Sequence, residues 1–565
     1  MPSSFRFGLI VPVTLAVLGS SAVLAAGCSG DESADAAGTG AGGGGGGMIG
    51  LDGGTGTGGG GMIGVPETCE QAIAQQSYIG CEYWPTVTIN SSLYEGFEFA
   101  IAASNPTKVS ATITVERDGA LVTEVAIEPG QLQTIKLPWV DELKQTDPLG
   151  NGINLKSVIV KGGAYKVTST VPITLYQFNP LDFQLDPAPA DCPDDDPTGC
   201  FSFTNDASLV LPKTALRGEY YAMSYPTLHT RYGMINWVDL PGFVTVTATE
   251  DGTVVDVRSS AHVRSGTGVD ALAPGGQASY QLDAGDVLML LSAPAPPMET
   301  PVGDKECELD VSGLLVCPSS PEYDLTGTHI QASKPVAVIG GHDCTFIPYN
   351  RFACDHIEEA LFPVEALGQD LIVTAPQAAG FMVETPDNMY VRVLSAADEN
   401  TVTFDPPVSE PVMLNAGEWV EIGPIKKDFR VHSKDRIMVG QYMVGEKFSG
   451  GSSGEGDPSL SIAIPTEQYR VSYSFLAPDS YSHNFVNVVV PAGGSILIDG
   501  TPIDPAEFVE IGETGMLVAR HPIEGGAHFI EGDRNFGIVT YGYGSYTSYM
   551  YPGGLNLETV IISPD

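Results

Sequence analysis

A chain of 565 residues that carries 26 Lys and Arg against 69 Asp and Glu has a formal charge of −43, while its 43% hydrophobic content can fill a large core. An acidic excess of that size repels the phosphate backbone, which excludes nucleic acid as a partner. The length admits two to four domains, and past the first thirty residues no apolar stretch is long enough to span a bilayer.

The first element is an address. Arg6 precedes an uncharged apolar run from Gly8 to Ala26, the pattern of a signal peptide rather than of a membrane span. The run ends in "LAAGC", which resembles the lipobox of bacterial lipoproteins, so cleavage after residue 27 would leave a diacylated Cys28. Residues 28–66 follow as a tether in which GGGGMIG occurs twice. Glycine at that density buries too little apolar surface to offset its ordering entropy, and such a coil reaches roughly 30–36 Å. The chain is therefore expected to be exported and held in the cell envelope, at the outer membrane or cell surface, touching membrane only through its lipid.

The remaining eight of nine cysteines fall into four consecutive pairs: Cys69 with Cys81, Cys192 with Cys200, Cys307 with Cys317, and Cys344 with Cys354. In an exported chain this spacing suggests four local disulfide loops. The last pair stands in "GGHDCTFIPYNRFACDH", where His342 and His356 could join the two sulfurs as zinc ligands instead. The same pairing recurs three times without histidines, which favours the disulfide.

Beyond residue 67 the pattern is short β-branched and aromatic alternation broken by Gly, Pro, Asp and Asn, the signature of an all-β chain. Segments recur in a fixed order. A proline-flanked stretch appears at 210–226, 361–376 and 463–478. A strand pair with a turn follows at 244–257, 391–404 and 486–499, with Asp251-Gly252 and Gly493-Gly494 as expected positive-φ turn residues. A glycine-led strand stands at 282–291 and 414–422, with a counterpart at 127–137. A closing segment reads "TSTVPITLYQF", "QASKPVAVIGG", "HSKDRIMVGQY" and "GDRNFGIVTYG". Four related β-sandwich-like units are expected, over 67–180, 181–344, 345–449 and 450–565, with a single closed propeller-like assembly as the alternative.

Few residues have the spacing of a chemical site. "DCPDDDPTGC" places Asp194, Asp195 and Asp196 inside a cysteine loop, where calcium binding is an alternative to an acidic loop without metal. "CDHIEEALFP" gathers Asp355, His356, Glu358 and Glu359, which could serve as acid and base but are expected to form a charged, solvated turn. Ser452 centres a formal G-x-S-x-G, yet it lies in a Gly/Ser-rich loop with no helical pattern behind it. The run "YGYGSYTSYMYPGG" (541–554) offers either a tyrosine-rich recognition surface or a final, partly buried strand. No cofactor is expected.

The blocks "YIGCEYWPT" (78–86), "VPITLYQFNP" (171–180), "NDASLVLP" (205–212), "GGHDC" and "ACDHIEE" within 340–359, "GDPSL" (456–460) and "MYPGGLNL" (550–557) together resemble the IgGFc-binding protein N-terminal domain family. The likeness covers nearly all of residues 78–557 and implies an extracellular binding or adhesion module rather than an enzyme. The expected function is a surface protein that recognises an extracellular protein or polysaccharide. The rival readings are a secreted hydrolase of glycans or esters, with Asp355, Glu358 and Ser452 as its candidate residues, and a structural envelope protein.

Overall fold

The computed structural model describes residues 64–562, apart from 148–149, 193–199, 234–235, 311–312, 382–383, 447 and 452–453. Eight strands organise it: β1 (Tyr165–Asn179), β2 (Asp206–Val210), β3 (His329–Thr345), β4 (Asp355–Ala360), β5 (Phe429–Met443), β6 (Leu460–Ile462), β7 (Gly526–Gly544) and β8 (Thr547–Pro552). The odd-numbered strands are long, at 15, 17, 15 and 19 residues, and a short strand follows each.

Each long strand serves two sheets. In β3 the first half pairs with 219–221 and 255–258, while the second half pairs with 242–248 and with β4. Between the halves the register jumps at equivalent places, across 168–173, 331–336, 432–437 and 531–536. These are the polar starts of the recurring closing segments. Extra residues at such a point bend a strand and raise its twist, which carries it from one sheet of a sandwich to the other. In three units a tyrosine pins the bend. Tyr83, Tyr220 and Tyr473 donate to the carbonyls of Ile173, Val336 and Phe536, and each accepts from the backbone three residues earlier. Leu371 stands at that place in the third unit.

Burial follows this division. β5 alternates buried and half-buried over Phe429–Ser433, as a strand covering one core should, and is wholly buried from Ile437 to Met443. The second halves are covered because the short strands lie against one another. β2 packs on β4 and β8, β4 on β6, and β6 on β8. The fold is therefore all-β, built from sandwich-like units, and those units also close into a ring. Closure comes from units of seven, nine, seven and eight strands, not from the four-stranded blades of a propeller. Each short strand completes the sheet of the long strand before it, so three of them lie beyond the expected unit limits at 180, 344 and 449.

Turn chemistry matches the sequence at Gly252 and Gly493, with φ of 65° and 80°. Their neighbours Asp251 and Gly494 hold negative φ, so one residue of each pair makes the turn, not both.

Buried cations and backbone pairs join the units. Arg392, from the third unit, contacts Asp324 at 2.8 Å and Glu421 at 3.0 Å and donates to the Ser224 carbonyl at 2.8 Å. Its guanidinium lies over Tyr225 and Trp419, at 4.2 and 4.3 Å. Between the fourth and first units, residues 76–78 pair with 555–557, the Tyr78 N–H donating to the Leu555 carbonyl at 3.0 Å. The helix Cys69–Gln75 stands just before this seam, capped by Thr68 and Gln71 and bound to the opening strand by Cys69–Cys81.

Replacing Arg392 by leucine would leave Asp324 buried opposite an apolar chain and Glu421, half-buried, with Lys305 as its remaining cation. The expected loss is about 3–5 kcal/mol of unfolding free energy, read from denaturant titration. Arg392→Lys should recover only part of it, since an ammonium cannot reproduce the planar contacts with both carboxylates and both rings. A loss below about 1 kcal/mol in the leucine variant would contradict the inter-unit role.

Candidate functional site

The sequence candidates around residue 350 converge on the centre of the ring. All six residues of β4 are buried, and Asp355, His356, Glu358 and Glu359 are each 0% exposed. The expectation of a charged, solvated turn fails here. The reason lies in the free edge of the short strands: deep in the protein their N–H groups need acceptors that water cannot supply. Asp206 of β2 accepts from Glu358 N at 3.0 Å, Leu460 N at 3.1 Å, Ser459 Oγ at 2.7 Å and Met550 N at 3.4 Å, so one carboxylate reaches the other three short strands. Glu359 accepts from Leu209 N, Ala360 N and Ser208 Oγ, and Asp355 accepts from Asn205 N and Thr547 Oγ1. Glu358 accepts from Thr88 and Gln177 of the first unit and lies 3.2 Å from His356.

Burial, the largest influence, pushes Asp206, Asp355 and Glu359 well above the usual carboxylate range, against the pull of their hydrogen bonds. Asp355 and Glu358 are both 0% exposed, so neither presents its carboxyl group at the surface.

The zinc alternative is corrected as well. Cys344 and Cys354 form a disulfide, so neither sulfur is a thiolate ligand. His342 faces the Pro226 carbonyl with Nε2 and accepts from Cys344 N with Nδ1, and burial pushes it down to about 3, so the ring is neutral. Cys69–Cys81, Cys192–Cys200 and Cys307–Cys317 are also disulfides. Four such bonds mark the chain as one from an oxidising, extracytoplasmic compartment. Cys28, Asp194, Asp195, Asp196 and Ser452 lie outside the described residues. Among those described, no group of three or more His, Cys, Asp or Glu is placed to hold a metal ion.

The tyrosine run is core, not surface. Tyr541, Tyr543, Tyr549 and Tyr551 are buried, with hydroxyls bonded to Asn487, Gln377, Asn484 and Leu476. Tyr546 alone projects, 36% exposed.

Above the hub lies a face made of the described residues of the four connections from long to short strand, which run through 180–205, 346–354, 444–459 and 545–546. They touch in sequence around the ring. Gly445 N donates to Ile347 O at 2.8 Å, Arg351 lies 5.7 Å from the Phe448 ring, Tyr546 N donates to Gly454 O at 3.1 Å, and Phe203 meets Tyr546 at 6.2 Å. Disulfides brace two of these loops. A four-stranded insert of the second unit (228–240 and 308–317) joins the same face, where Tyr349 and Asn350 bond to Glu306 and Glu308 at 2.7 and 2.6 Å. The sequence does carry a signal for this insert. The gap from the glycine-led strand to the closing segment runs from Leu291 to Gln331 in the second unit, but only from Ile422 to His432 in the third. Tyr232, Phe381 and Tyr546 expose aromatic rings around the face.

The opposite end gathers the short turns 213–215, 364–366 and 466–468 with residues 69–78 and 555–560. Gln468 donates to the carbonyls of Ala366 and Glu558, Arg217 to Gln76, and Val560 N to Glu365 O.

A family model described as IgGFc binding protein matches residues 206–542, from Asp206 almost to the end of β7. No curated protein matches the chain.

Because Asp206, Asp355 and Glu359 bind protons more tightly folded than unfolded, their stabilisation is complete below the ordinary carboxylate range and is lost as pH rises through their elevated folded values. The melting temperature should be higher at pH 5 than at pH 8. Asp206→Asn, which cannot ionise, should flatten that slope; an unchanged slope would exclude Asp206 as a contributor.

Proposed function

This chain belongs to the IgGFc binding protein family, whose model covers more than half of it, and from that premise we propose that it is an envelope-anchored adhesin binding its partner through the loop face. Family membership makes it a binding protein for a macromolecule, and the four disulfides make it an exported one.

The observation that carries the reading is the polarity of the ring. The short strands begin at the loop face and finish at the end where the helix Cys69–Gln75 sits. A tether entering through residues 64–68 therefore joins the body opposite the loops. Lipid on Cys28 would attach the body to the membrane from that end and leave the loops clear of the attachment point. Loops on a rigid scaffold are where binding residues concentrate, and exposed aromatic rings give large contact area at low entropic cost.

Two measurements test this. Labelled palmitate should be incorporated by the full chain and not by Cys28→Ser; equal labelling of both would remove the lipid anchor. The protein should also bind saturably to cell envelopes or extracellular matrix, with antibody Fc and mucin as comparators. On the loop face, the double variant Ala190→Arg, Asp191→Lys should weaken that binding at least about tenfold, the effect of losing about 1.4 kcal/mol. Ile561→Arg, at the opposite end, should not. Equal binding by both variants would place the contact elsewhere.

A further inference from the structure

Four arginines are buried among the described residues, and in three of them every guanidinium nitrogen has a partner. Arg392 meets Asp324 and Glu421, and Arg520 meets Glu384, Asp428 and the Ala375 carbonyl. Arg264 gives its three nitrogens to the carbonyls of Ser292, Gly152 and Asp239. Arg470 is the exception. It is 2% exposed, its Nη1 donates to Asn556 Oδ1, and its Nε and Nη2 are buried without a hydrogen-bond partner. No carboxylate among the described residues lies within 4.0 Å of the guanidinium. The guanidinium carbon stands 5.6 Å from the centre of the Tyr78 ring.

The recurrence of the units shows how this arises. Arg217 holds the same place in the second unit: its N–H donates to Tyr220 Oη at 3.1 Å, as that of Arg470 does to Tyr473 Oη at 2.9 Å. Arg217 directs its guanidinium to the carbonyls of Thr214 and Leu216 and to Gln76 Oε1. The counterpart of the Leu216 carbonyl in the fourth unit is that of Tyr469, and Asn556 Nδ2 faces it at 3.5 Å instead. Asn556 also pairs with Ser77 of the first unit. Arg470 is therefore enclosed where the fourth and first units meet, between Asn556 and Tyr78.

Water would satisfy the two N–H groups and leave the charge unbalanced, and an uncompensated charge in a protein interior is strongly destabilising. Both nitrogens are enclosed, so a side chain of a partner protein cannot reach them. One positive charge is balanced by one negative charge.

We propose that Arg470 binds a small monovalent anion, chloride in an extracellular medium, which accepts from Nε and Nη2. Asn556 and Tyr78 complete the surroundings only when the ring is closed, so the site exists in the folded chain and not in the unfolded one. Such an ion stabilises the fold in proportion to how far its concentration exceeds its dissociation constant.

Thermal melts of the full chain in sodium chloride and in sodium gluconate, both at about 150 mM ionic strength, test this. Chloride should raise the melting temperature by about 1–4 °C over gluconate. Arg470→Met should lose that increment, and Arg217→Met, at the equivalent bend, should keep it. No increment in the unsubstituted chain, or an equal one in Arg470→Met, would overturn the site. Where Arg470→Met does not fold, the unsubstituted chain decides: crystals grown in sodium bromide should show an anomalous bromide peak in contact with Nε and Nη2 of Arg470, and a map with no peak there overturns the proposal.

Discussion

Four short strands end their sheets in the middle of the molecule, and their outward N–H groups must find acceptors where no water can serve. The rest of the structure depends on that constraint. A single sheet edge of this kind would ordinarily be covered or left in solvent; here four edges face one another. Side-chain acceptors from the strands themselves sit between them. Asp206 answers for Glu358, Leu460 and Met550, Glu359 for Leu209 and Ala360, Asp355 for Asn205, and Ser548 for Asp457. Carboxylates suit the task because one group can accept several donors at once. The same burial that makes them necessary pushes their proton affinity up, so the hub trades desolvation against hydrogen bonding.

Once the hub is set, the long strands follow. A strand that must pair with its own unit in one half and support the hub in the other has to cross between two sheets, and the bulge at 168–173 and its three counterparts performs the crossing. Tyrosines at 83, 220 and 473 close the gap that the bulge opens, bonding its carbonyl and the facing amide together. The units then meet through one apolar core drawn from all four, with buried polar groups set into it. Arg392 shows why this works: two carboxylates, a carbonyl and two ring faces together replace its hydration, where any one alone would not.

Much of the frame is legible in the sequence. The all-β class, the fourfold recurrence and the local pairing of cysteines all come from spacing, which backbone geometry and loop closure constrain directly. The centre is misread for an equally physical reason. Polarity places Asp355-His356-Ile357-Glu358-Glu359 outside, since charged residues are rarely buried unless partnered, and the partners come from residues 88, 177, 205 and 208–209, far away in the chain. No local pattern reports a partner set assembled by ring closure. The tyrosines of 541–551 are ambiguous for the same reason, because whether a hydroxyl is satisfied inside depends on Gln377, Asn484 and Asn487. Phe203 and Tyr546 are invisible as a pair: 343 residues separate them, and their strained φ has no signature in composition.

The arrangement also separates what must stay fixed from what can vary. The polar hub is a network in which each carboxylate serves several strands, so a change there disturbs all four units together. The loops above it are stitched to one another mainly through backbone atoms, at Gly445, Gly454 and Gly456, and braced by local disulfides. Such contacts hold the stitching positions themselves, since Gly454 and Gly456 keep a φ of 86° that favours glycine, but ask little of the side chains between them. A face built this way can change its rings and charges while the hub beneath keeps its geometry. By that logic the buried carboxylates that first draw the eye are the part of the molecule least open to change, and the exposed side chains of the loops are the most open.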